Sequence, residues 1–163
     1  MPYTSTPRTW VAGEVPTATH FNDNLRDFAR GFTDAWTSYT PTLTASTTNP
    51  TNWTQTGYYC RVGKLVIAKF KVTAGASMTA GSGEYRIALP VNANVSVGEM
   101  ESGGIVLSHS TNTYIGQAAI VNTAYARLLY LATVSTAGFA AHDAPWTWAA
   151  SDFIRGQITY EAA

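Results

Sequence analysis

The sequence predicts a mainly β fold, an antiparallel β-sandwich or jelly roll preceded by an extended N-terminal arm and one short amphipathic helix. Three observations carry this. Past residue 36 apolar residues alternate with period two, as in Leu65 to Val72, where Val66, Ala68, Phe70 and Val72 share one face while Lys69 and Lys71 lie on the other. Eight or nine such segments recur about every ten residues, separated by glycine, proline and asparagine turns. No helical crossover lies between them, which disfavours a parallel sheet.

Residues 1–16 carry Pro2, Pro7 and Pro16 and no apolar period, which predicts an extended, polyproline-like docking arm. Tyr3, Trp10 and Val11 are its sizeable apolar side chains and its candidate anchors on a particle. Residues 17–36 read as an oligomerising helix and linker. The helix opens at Thr17, with Thr19 the competing cap, and Gly31 is a natural stop. Ala18, Phe21, Leu25, Phe28 and Phe32 form an apolar stripe at 3-4 spacing, while Asp23/Arg26 and Asp27/Arg30 pair at i,i+3. A helix this short is marginal alone in water, and no second amphipathic helix follows. The stripe therefore packs on the β-domain or on copies of itself.

Residues 37–163 form the β-sandwich, with strands expected over 40–44, 57–62, 65–72, 85–89, 95–101, 104–109, 113–121, 126–134 and 153–160. Turns are expected at Ala74-Gly75, Gly81-Ser82-Gly83, Pro90-Val91-Asn92, Ser110-Thr111-Asn112 and Ala137-Gly138. Residues 43–56, rich in threonine and asparagine, read as a long loop and a contact surface.

Only 12% of the residues are charged, and 24 of the 163 are threonine, so the surface is polar by hydroxyl and amide. Ten basic and ten acidic side chains cancel, which argues against a nucleic-acid partner. No stretch reaches the roughly 20 apolar residues that span a bilayer, and the first residues carry no apolar signal core, so a membrane partner and secretion are not expected. The single cysteine, Cys60, reads as an inert thiol in a strand and excludes an intrachain disulfide or cysteine-rich zinc site.

No catalytic signature emerges, no metal or cofactor is expected, and the chain reads as a non-enzyme. The three histidines, His20, His109 and His142, lie in different segments; His142-Asp143 is the one adjacent acid–base pair, with no G-x-S-x-G nucleophile turn to serve. Pro145-Trp146-Thr147-Trp148 places two indoles on one side of an extended segment, a candidate surface for stacking sugar rings. Filling a β-sandwich core is the competing role for such rings. His142, Asp143, Trp146 and Trp148, with Asn52 and Trp53 from the long stretch, are the candidate glycan contacts.

The segment Trp10-Val11-Ala12-Gly13-Glu14-Val15-Pro16-Thr17-Ala18, with Asn22, Asn24, Arg26 and Asp27, resembles a leader on virion proteins of bacteriophages, especially those of actinobacteria. Tyr39-Thr40-Pro41-Thr42-Leu43-Thr44-Ala45, Asn49-Pro50 and Gly57-Tyr58-Tyr59-Cys60-Arg61-Val62-Gly63-Lys64-Leu65-Val66 resemble the opening of β-rich domains in the same kind of protein. Together they cover about the first 72 residues. The resemblance implies a virion structural protein of the minor tail, fibre or capsid-decoration kind, made in the host cytoplasm and assembled from identical copies, often as a trimer. Its partners would be itself, as a homotrimer, and other phage capsid or tail proteins. It carries no catalytic residue across. The alternative expectation is a receptor-binding module that recognises host-surface glycans.

Overall fold

The computed structural model describes residues 9, 11–22, 29, 33–96, 98, 100–110, 112–133 and 136–163. A short helix, α1 (Ala18–Phe21), precedes ten strands: β1 (Thr37–Tyr39), β2 (Leu43–Ala45), β3 (Thr51–Val62), β4 (Leu65–Thr79), β5 (Tyr85–Ala88), β6 (Met100–His109), β7 (Asn112–Ile120), β8 (Tyr125–Thr133), β9 (Thr136–Phe139) and β10 (Phe153–Glu161). Every pairing is antiparallel, in the order β1-β3-β4-β10-β6-β7-β8-β5-β2, with β9 against β8. The mainly β, antiparallel class is the one the sequence predicts.

β1 and β2 stand at opposite ends of that order, yet only residues 40–42 separate them in the chain. In a flat sheet, eight steps of about 4.8 Å would part them by roughly 38 Å. The four residue steps from Tyr39 to Leu43 reach about 14 Å at most. The sheet therefore curls back on itself around one core. Alternation supplies that core: Val66, Ala68, Phe70, Val72 and Ala74 of β4 point inward to meet Ile105 and Leu107 of β6, Leu128 of β8, and Ile154 and Ile158 of β10, all buried. Lys69 and Lys71 point outward, as expected.

Several expectations need correction. The stretch 43–56 is not one long loop: 43–45 and 51–56 lie in β2 and β3, and only 46–50 connect them. Threonine is a good strand former, and the outward row Asn52, Thr54, Thr56 and Tyr58 is exposed, so the strand presents hydroxyls instead of an apolar face. Ala74-Gly75 is not a turn but the middle of β4; a side chain on Gly75 would stand 2.6 Å from the Asn52 carbonyl, where β3 bulges with Asn52 at φ 58°. The expected strand over 95–101 starts only at Met100, because Gly98, at φ +90°, turns the chain and donates to the Val95 carbonyl. The expected strand over 40–44 is broken at Pro41, which has no N–H to give a ladder. Ala137-Gly138, expected as a turn, belongs to β9.

At the N-terminus the cap is Thr17, not Thr19: its hydroxyl accepts from the His20 N–H, and His20 Nδ1 accepts from the Thr17 N–H in return. His20 is thus a capping residue. The arm expected to be extended holds a turn, with the Glu14 N–H donating to the Val11 carbonyl across Gly13 at φ +83°. Ala29 and Thr33 are helical as well, and the Thr33 hydroxyl reaches the Ala29 carbonyl.

Candidate functional site

The sequence-derived residues separate on folding. Trp53 and Trp148 are 9% and 4% exposed, inside the curled sheet. Their rings meet edge to face at 5.5 Å, and both contact Tyr85, at 6.0 and 5.7 Å. The Trp148 indole donates to the Ala141 carbonyl at 2.7 Å, and the Trp53 indole to the Thr79 carbonyl at 3.2 Å. Trp146 is half-buried, 5.5 Å from Trp148, with its indole nitrogen enclosed. The two indoles do share a side of the chain, but that side faces the core, so the paired sugar-stacking surface is corrected to a core cluster. Asn52 is exposed and donates to the Ser77 carbonyl at the bulge. His142 accepts from the Gly83 N–H at 3.2 Å and lies 3.4 Å from the carboxylate of Asp143, which is mostly exposed.

One polar pair was not legible in the sequence. His109 at the end of β6 falls opposite Asp152, just before β10, in the register that pairs Ser108 with Phe153. His109 Nδ1 and Asp152 Oδ2 lie 2.8 Å apart, and the same oxygen accepts from the Ala149 N–H at 2.7 Å. Asp152 is 4% exposed, and Trp146 lies 5.4 Å from His109. A buried carboxylate needs such donors, so the pair clamps the segment 141–152 onto the core. Among the described residues no hydroxyl or thiol hydrogen-bonds to His109. No group of three His, Cys, Asp or Glu side chains converges among them either.

The outer face of the sheet carries a different arrangement. Thr56 of β3, Lys71 of β4, Arg155 of β10 and Val106 of β6 are successive cross-strand partners, and Tyr58, Lys69 and Gln157 form the adjoining row. Between them lies an open depression of about 490 Å³, with Gly104 and Gly156 in its lining. A side chain on Gly104 would meet nothing within 4 Å. Rings support the cationic heads: Lys69 Nζ sits 4.4 Å from the Trp36 ring and 5.8 Å from Tyr58, while Lys71 and Arg155 lie 4.9 and 5.5 Å from Phe153. None of the ten lining residues is acidic. Alternation had placed Lys69 and Lys71 outward in the sequence, but only the register brings Arg155 beside them.

Of the expected oligomer contacts, Ala18 and Phe21 are exposed, Phe21 at 49%, and α1 buries none of its residues. Leu25, Phe28 and Phe32 lie outside the described residues. Of the expected docking anchors, Val11 is 70% exposed, while Tyr3 and Trp10 lie outside the described residues. No family model matches this chain, and no curated protein and no solved structure is detectably similar to it.

Proposed function

We propose that this chain is a homotrimeric structural protein of a phage particle, which attaches through its N-terminal arm and helix and displays the curled β-sheet, acting as a sandwich, on the surface. One observation carries the reading. The described apolar side chains ahead of the β-domain, Val11, Val15, Ala18 and Phe21, are all exposed, with Val15 at 82%. The β-domain meanwhile closes on its own core without them. Of the two destinations open to the stripe, its own domain and other copies, the second is the one this exposure favours. Closed cyclic symmetry then joins short helices that could not persist singly. The low-charge, hydroxyl-rich exterior suits a displayed component selected for durability.

The experiment is sedimentation of the purified full-length chain. The wild type should run near three times 17.5 kDa, and Phe21→Asp combined with Phe28→Asp should release folded monomers. Labelled protein added to particles that lack it should bind them only when residues 1–36 are present. Binding by residues 37–163 alone would move the docking surface to the β-domain.

A further inference from the structure

We infer that the depression on the outer face of β3, β4, β10 and β6 is a binding site for an anionic saccharide. The chain is neutral overall with ten lysines and arginines in all, yet three of them, Lys69, Lys71 and Arg155, line one depression in which no described lining residue is acidic. Lys71 and Arg155 are direct cross-strand partners, and like charges so placed destabilise a sheet. Two other cations have acids beside them, Lys64 with Glu161 at 3.1 Å and Arg127 with Glu84 at 3.6 Å, so that the second cross-strand cation pair, Arg86 with Arg127, has a carboxylate at hand. An anion lying between Lys71 and Arg155 would turn the mutual repulsion into two charge-assisted hydrogen bonds.

The neutral groups narrow the class. Thr56 and Gln157 flank the cations in the same two rows and offer the donors and acceptors that sugar hydroxyls pair with. Tyr58 brings a ring to the depression, and it is 42% exposed, open to a sugar face. The bare backbone at Gly104 leaves the space in which a ring would lie. A polyphosphate chain fits less well. Trp36 and Phe153 already hold cations against their faces, and Lys69 lies 5.8 Å from Tyr58 as well, so the face offers no run of free stacking platforms, and a neutral protein lacks the broad positive field of nucleic-acid binders.

The test is calorimetric titration of the full-length chain with four probes: tetragalacturonate, a sulfated chondroitin tetrasaccharide, neutral maltotetraose, and an oligothymidylate of similar charge. At least one of the two anionic saccharides should bind, more weakly as salt rises, and maltotetraose should not. The pair of anionic probes tells a carboxylate site from a sulfate site. Lys71→Gln with Arg155→Gln should weaken binding by about tenfold or more. Gly104→Phe, which fills the depression from a position free of neighbours, should abolish binding while leaving the urea midpoint unchanged. The inference fails if neither anionic saccharide binds with a Kd below about 1 mM. It also fails if oligothymidylate binds as tightly, or if both variants keep wild-type affinity. Should Gly104→Phe instead dissociate the oligomer, the face is an interface between copies and the inference is likewise overturned.

Discussion

Trp148 shows how one side chain decides between a surface role and a core role. Its ring contacts Trp53, Tyr85 and Trp146, and its N–H is bonded to the Ala141 carbonyl. Trp148→Ala should cost about 3–5 kcal/mol in urea unfolding, the usual range for emptying a large aromatic from a core. A change below about 1 kcal/mol would return the indole to the surface. The buried phenols give a pH dependence of definite sign. Burial raises Tyr39 and Tyr85 above the ordinary tyrosine range, and it pushes Tyr160 up to about 12 despite the hydrogen bond that its oxygen accepts from the Val91 N–H. The unfolded chain ionises these phenols near 10.0, so it releases protons before the folded chain does as pH rises. Their stabilisation is therefore whole below pH 10 and is lost progressively as pH rises from there, through about 12 for Tyr160 and beyond it for Tyr39 and Tyr85. Urea midpoints measured from neutral pH upward, with Tyr160→Phe showing a shallower alkaline fall than wild type, check this.

At the scale of the elements, strand pairing rests on close backbone approaches that only glycine allows. A side chain on Gly116 would collide with the Leu129 carbonyl across the β7–β8 ladder, whereas one on Gly104 would stand in open space. Gly116→Val should therefore destabilise by about 3 kcal/mol or more, while Gly104→Ala should stay within about 0.5 kcal/mol of wild type; chemical denaturation of the pair separates a packing glycine from a surface one. The same contrast explains what was legible beforehand. β4 could be read through residue 72 because Val66 to Val72 alternate with lysines on an otherwise apolar scaffold. The first half of β3 could not, because its outward threonines and asparagine resemble a loop until Trp53 is known to point inward. β9 was hidden by Gly138, whose missing side chain makes room for the ring of Tyr130, its cross-strand partner. Registers between distant strands are not written in either sequence locally, so the facing of His109 with Asp152, and of Lys71 with Arg155, emerged only on folding.

For the whole molecule, the closed β-domain and the N-terminal extension have opposite characters. The domain buries Trp53, Phe70, Tyr85, Trp148 and Tyr160 in one core and ends with Glu161 paired to Lys64, a surface contact whose side-chain bonds from Lys64 and Asn94 hold the carboxyl below its usual range. The extension places valines and a phenylalanine at the surface and reaches the domain at Trp36, against Lys69. Such a division predicts that residues 37–163 fold and remain monomeric without the extension, since their core needs none of it, and that assembly resides in residues 1–36. A thermal transition for the truncated domain within a few degrees of the full chain at low concentration checks the first part. Sedimentation equilibrium of the full-length chain, compared with residues 37–163 over the same concentration range, tests the second and with it the central claim. A mass near three times 17.5 kDa for the full chain, falling to one copy on truncation, is the predicted result; a full-length chain that stays monomeric at every concentration would contradict it.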